Sequence, residues 1–230
     1  MPESANNSWL ARRIESALKS ALTRAYETVR VNPEEYLMHL RMAHGVPVSS
    51  YEGLFTVPVA ELDSIALTTV RGAMKMACAE GAGLGFGGFV TIVPDLGILS
   101  AITMRTIQKL SLIYGFEYNT DEEVANLWIA AATAAGVDVS KELLEKTVLR
   151  SFVQRVIGRI AARYSTEFAE KMVARAVPIL SSVVGAALNY YFVRAWGRRA
   201  LAHFRQRHLE ERNRREGQTI LLGPSPSGPV

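Results

Sequence analysis

The sequence predicts an all-α fold, a single compact bundle of about seven or eight helices, and three observations predict it. Apolar residues recur at intervals of three to five along almost the whole chain, and the alternation that marks strands is nearly absent. Helix-starting residues (Asn32-Pro33, Pro58, Pro94, Thr120, Ser140) and helix-stopping glycines (Gly45, Gly115, Gly136) fall at the ends of those periodic runs. The chain has 230 residues, 49% hydrophobic and 21% charged. That is enough for one domain with appendages, and it excludes disordered, collagenous and disulfide-scaffold classes.

Residues 8–30 read as an amphipathic helix with Trp9, Ile14, Leu18, Leu22, Ala25 and Val29 on one side. A second helix starts at Asn32, with proline at its first position and Glu34 and Glu35 in its first turn, and ends near Gly45. Pro47 to Pro58 is a turn-rich connection, and Pro58 opens a helix carrying Leu62, Ile65, Val70, Met74 and Ala77. From Pro94 a helix runs to Tyr114 and stops at Gly115. The next is capped by Thr120, with Asp121, Glu122 and Glu123 where the macrodipole favours acids, and ends near Gly136. Ser140 caps a helix to about Arg163. Pro178 interrupts or opens a long last helix to about Arg215, and residues 216–230 form a Pro/Gly-rich tail expected to be disordered.

The charge is polarised. Residues 1–140 hold 10 Lys+Arg and 15 Asp+Glu, whereas 141–230 hold 16 and 7, so a net of −5 precedes a net of +9. Arg155, Arg159 and Arg163 recur every four residues on one helix face, and Arg194, Arg198 and Arg199 follow on the last helix. These six are the candidate lipid-facing cations, to be weighed against an ordinary solvated face. Nucleic acid is not expected, since no reader motif accompanies the charge.

A mean hydropathy of +0.10 raises the membrane question. Three stretches lack charge: 81–94, 124–137 and 176–193. Only the last approaches the roughly 20 residues of a spanning helix, and it carries Pro178, Ser181, Ser182, Gly185 and Asn189, so core helices are the expectation. The glycine run Gly83-Leu84-Gly85-Phe86-Gly87-Gly88 matches a dinucleotide fingerprint but follows a helix instead of a strand. Two readings stay open for it: close helix packing through small residues four apart, such as Ala77, Gly81 and Gly85, and an apolar hairpin that enters a bilayer face.

Recognisable catalytic chemistry does not surface. The pairs His39/His44 and His203/His208 are each five apart, not the three or four of helix metal ligands. Neither metal nor cofactor is expected. Cys78, the single cysteine, lies in an apolar helix and reads as a small core residue. It cannot form an intramolecular disulfide, and the charged N-terminus lacks the apolar core of a secretory signal, so a cytoplasmic location is expected.

Against this background, GGFVTIVPD (87–95), Arg105 within ITMRTIQKLSLIYG (102–115), and AVPILSSVVGAALNYYF (176–192) followed by ALAHFRQR (200–207) resemble the EcsC protein family over about residues 55–210. The resemblance divides the chain into N-terminal amphipathic helices (1–50), an EcsC-like helical domain (51–215) and the tail. It implies a helical, membrane-associated bacterial protein of a family named from a gene beside an ATP-binding-cassette exporter, and no established catalytic activity. Carried over residue by residue, it marks Gly87, Gly88, Phe89, Pro94, Asp95, Arg105, Tyr114, Gly115, Pro178, Gly185 and Asn189, with Lys171 a weaker match. Asp95, Arg105 and Asn189 are the candidate polar site inside an oily bundle. The expected role is accessory to membrane transport or secretion, peripheral to the inner face of the membrane, with anionic lipid or a membrane protein such as an ABC-type exporter as partner. The alternatives are an enzyme acting on a lipid or hydrophobic substrate at Asp95 and Arg105, and a soluble oligomeric interaction module.

Overall fold

A computed structural model of the chain describes residues 3–84, 92–139, 148–173 and 181–221. Within these ranges side chains are described except at 3–8, 10, 81–84, 92–95, 166–173, 181–188 and 219–221. The described residues form seven helices and no strand: α1 (Glu3–Thr28), α2 (Pro33–His44), α3 (Val59–Leu84), α4 (Ile92–Ile113), α5 (Asp121–Ala134), α6 (Leu149–Val173) and α7 (Ser181–Leu221). The all-α bundle is as the periodicity predicts.

Local chemistry sets several boundaries. Asn32 Oδ1 accepts from the Glu34 and Glu35 N–H groups at 2.9 and 3.3 Å, capping α2 over Pro33. Thr120 and Glu123 form a reciprocal capping box at the start of α5. Gly115 and Gly136 take positive φ (87° and 70°) just past α4 and α5, and the N–H groups of Phe116 and Val137 reach back to Ser111 and Ala132 carbonyls at 2.9 Å. Each closes its helix in a Schellman motif.

Other boundaries differ from the sequence expectation. α1 starts at Glu3, ahead of residue 8, and α4 starts at Ile92, two residues before Pro94. A 3₁₀ turn, Glu52–Thr56, occupies part of the 47–58 connection and buries Leu54 and Phe55. α6 continues to Val173, past Arg163, while its expected cap Ser140 lies outside the described residues. α7 runs to Leu221, into the expected tail, because ion pairs one turn apart (Arg212–Glu216, Arg214–Glu211, Arg215–Glu211, 2.7–2.9 Å) continue its helical spacing. Residues 222–230 lie outside the described residues.

The core gathers around α4 and α5. α3 packs along α7, α1 against α6 and α4, and α5 against α6 and α7. α5 buries Ala125, Leu127, Trp128, Ile129, Ala130, Ala131, Ala132 and Ala134, so the uncharged stretch 124–137 is a core helix and its surplus of alanine lets neighbours approach. At the α3–α7 contact a Cβ on Gly197 would lie 2.7 Å from Val70 Cγ1, which explains a glycine in mid-helix. Among the described residues one helix, at Leu96–Ile113, is long and apolar enough to cross a membrane, and 72% of that stretch is buried within the bundle. Its apolarity is accounted for by packing. Residues 85–91 of the first uncharged stretch, and 176–180 of the third, lie outside the described residues.

Candidate functional site

Where α1 hands over to α2, the linker crosses the outer side of α4. A surface cleft of about 300 Å³ opens there, lined by Arg30, Asn32, Glu35, Tyr36, Arg105 and Lys109 together with Val31. Arg105 and Lys109 sit one turn apart on α4, and Arg30 arrives from the linker. Three cations thus face one carboxylate, Glu35, and among the described residues none of the three forms an ion pair. Lys109 Nζ lies 5.6 Å over the Tyr36 ring. Its pKa is pushed down, first by partial burial and then by the Arg105 charge. His39 on α2 is likewise held below its ordinary value by desolvation, with His44 and Lys109 adding repulsion. The Arg105 charge that disfavours the Lys109 ammonium would favour an anion bound beside it.

The backbone that carries Arg30 is clamped from three directions. Gln108, buried on α4, donates from Nε2 to the Val29 carbonyl and accepts at Oε1 from the Val31 N–H, both at 2.9 Å. The Tyr118 hydroxyl donates to the Val31 carbonyl, and the Tyr51 hydroxyl donates to the Pro33 carbonyl at 2.6 Å. Burial raises the pKa of all three tyrosines around this linker, Tyr36 to about 12. All three are neutral at physiological pH, Tyr51 and Tyr118 act as donors to the linker, and the linker is fixed by groups from α4 and the two loops around it.

A second polar cluster joins α3, α4 and α7. Asp63 Oδ1 accepts from the Tyr114 hydroxyl at 2.6 Å and Oδ2 from Arg205 Nε at 2.9 Å. His208 is fully buried, with Nδ1 2.9 Å from the Tyr114 carbonyl oxygen and its ring stacked on Phe55 at 4.8 Å. Among the described residues its Nε2 has no partner. Arg215 covers the other approach, 4.2 Å from the Phe55 ring.

The EcsC protein family model matches residues 2–209. The chain belongs to the EcsC protein family. It is 22% identical over 204 residues to Protein EcsC of Bacillus subtilis (strain 168), covering 87% of this chain and 86% of that protein. It is 23% identical over 150 residues to Uncharacterized protein YdbA of the same organism, covering 61% and 55% of the two chains. No solved structure matches. The family match includes α1 and α2, and α1 packs on both α4 and α6, so the N-terminal helices of this EcsC-family chain are structural parts of the bundle.

Gly87, Gly88, Phe89 and Pro178 lie outside the described residues. Pro94 and Asp95 are in the first turn of α4, Lys171 is on α6 and Gly185 is on α7, with side chains outside those described. Arg105 is exposed at the cationic cleft, and Asn189 is buried on α7. Tyr114 and Gly115 are explained by the joint: the phenol reaches Asp63, and a Cβ on Gly115 would lie 2.9 Å from the Phe55 ring. Of the basic stripe, Arg155, Arg159 and Arg163 are exposed on α6, Arg198 and Arg199 are exposed on α7, and Arg194 is half-buried. Arg159 and Arg199 donate to the carbonyls of Asp138 and Ala134 at 3.3 Å, where the C-terminus of α5 and the chain just beyond it present bare acceptors.

Arg30, Lys109, Gln108, Asp63 and His208 were not singled out by sequence reasoning as site residues. Lys109 had a usable signal, since it follows Arg105 by four residues on an otherwise apolar helix. Arg30 and Asp63 had none, because their partners are distant in the chain.

Proposed function

We propose that this EcsC-family protein is a peripheral membrane protein that docks on anionic lipid through the basic face of α6. The observation that carries the reading is the composition of that helix. From Leu149 to Ser165 it exposes Arg150, Arg155, Arg159 and Arg163 and contains no acid, its two acids, Glu167 and Glu170, falling in its last turns, while Phe152, Val153, Val156, Ile157, Ile160 and Ala161 bury its opposite side. α1, which packs beside α6, adds exposed Arg12 and Arg13, and Trp9 is 46% exposed with the Arg13 guanidinium 5.1 Å from its ring. Basic charge combined with an interfacial aromatic supplies the two signals that peripheral attachment requires.

Each basic residue near an anionic leaflet contributes about 1 kcal/mol. Replacing Arg155, Arg159 and Arg163 together by Gln should therefore weaken binding to phosphatidylglycerol-containing vesicles roughly a hundredfold at low salt. Co-sedimentation with phosphatidylglycerol and with neutral phosphatidylcholine vesicles, across a salt series, tests it. Failure of the unaltered protein to sediment with the anionic vesicles at low salt, or binding indifferent to salt, overturns the reading.

A further inference from the structure

We propose that the cleft formed by Arg30, Arg105 and Lys109 is a binding site for a phosphate monoester group. The argument stands apart from membrane docking, since it uses a different surface and different residues. Three cations converge on one cleft without an ion pair among the described residues, and Glu35 is the only carboxylate lining it, so within the cleft the balance of +3 against −1 matches a dianion, while Glu34 and Glu117 line the neighbouring cleft that Arg30 also borders. A phosphate monoester carries close to two negative charges at neutral pH, whereas a carboxylate or a phosphodiester carries one. Two guanidinium forks and one ammonium suit a tetrahedral oxyanion with three free oxygens: the arginines bind pairs of oxygens and the lysine acts as a point charge.

The site is built as well as charged. Gln108, 5% exposed, spends both ends of its amide on the residues either side of Arg30, and Tyr118 and Tyr51 tie down Val31 and Pro33. Such clamping holds repelling cations together before a ligand arrives, which lowers the ordering cost of binding. The amides at the start of α2 are not the anion donors, because Asn32 Oδ1 already occupies those of Glu34 and Glu35. Recognition rests on the three side chains. The cleft is open to solvent, so a soluble phosphorylated molecule and a lipid bearing a terminal phosphate can both present this group.

Thermal melts of the full chain in inorganic phosphate against chloride at matched ionic strength test the site without a membrane. The expected result is a rise in Tm of about 3 °C at tenfold excess over Kd, lost in Arg105→Gln and in Lys109→Gln and kept in Arg198→Gln. Because Arg105 is exposed and Lys109 half-buried, both variants should melt normally in chloride. Vesicles of phosphatidic acid and phosphatidylglycerol at equal surface charge then separate the sources. Tighter binding to phosphatidic acid that disappears in Arg105→Gln assigns a lipid headgroup, and phosphate binding without that preference assigns a soluble ligand. No phosphate-specific rise in the unaltered protein, or a rise undiminished in both cleft variants, overturns the proposal. Loss of vesicle binding in the α6 triple variant with phosphate binding intact would separate this site from the docking face.

Discussion

The Tyr114 hydroxyl donates to Asp63 across 51 residues of chain, at 2.6 Å, while the second oxygen of the same carboxylate accepts from Arg205. One carboxylate thereby ties the end of α4 to α3 and α7. Burial, followed by the hydrogen bond to Asp63, pushes the Tyr114 pKa far up, so the phenol is a permanent donor. Tyr114→Phe should cost about 1–2 kcal/mol in urea unfolding. Arg205→Gln should cost less than 1 kcal/mol, because Arg205 is exposed.

Two glycine-to-alanine substitutions should move stability in opposite directions. Gly115 has φ +87°, and its added Cβ would meet Phe55 at 2.9 Å and the Tyr51 carbonyl at 3.2 Å. Gly115→Ala should destabilise by more than 1 kcal/mol. Gly72 lies inside α3 with nothing within 4 Å of a Cβ, so Gly72→Ala should stabilise by about 0.5–1 kcal/mol. Denaturant midpoints of the two variants check both signs.

Gln108→Leu should be costly although it adds apolar surface to a core position. It strips the Val29 carbonyl and the Val31 N–H of their partner, at about 2 kcal/mol or more for the pair. If the linker positions Arg30 for an anion, the same variant should also weaken phosphate binding at temperatures where it remains folded. Isothermal titration with inorganic phosphate measures that second effect.

Acidification should destabilise the protein through His208. Burial is the largest effect and lowers its pKa below 6.5; the Tyr114 carbonyl, next in size, favours the charged form, Arg212 opposes it, and Asp63 and Arg215 favour and oppose it in smaller measure. The unfolded chain binds the proton more readily, so this contribution is complete above about pH 6.5 and is lost as pH falls below it. His208→Gln should flatten the dependence of the urea midpoint between pH 7.5 and 5, and an unchanged slope would remove His208 as its source.

Several helix boundaries were legible in the sequence because their chemistry is local. Asn32 with Pro33, Thr120 with the acids after it, and the glycines at 45, 115 and 136 act through backbone groups a few residues away. The family motif gave Tyr114 and Gly115 as positions, and only the contact with Phe55 and Asp63 gave them a reason. Arg105 was marked as one member of a polar site, yet its cationic neighbours at the cleft are Lys109 and Arg30.

The order of residues alone is thus enough for the all-α class, several of the helix limits, the acidic-then-basic polarity and the family. Those follow from periodicity, from hydrogen bonds within a turn, and from composition. The tertiary structure alone decided which faces meet. Gln108 reaches Val29 across 79 residues and Arg205 reaches Asp63 across 142, and such pairs arise only when helix packing has set the register between distant segments. The cationic cleft belongs to the same category, since mutual repulsion would not bring Arg30 to Arg105 and Lys109 unless buried partners held the linker in place.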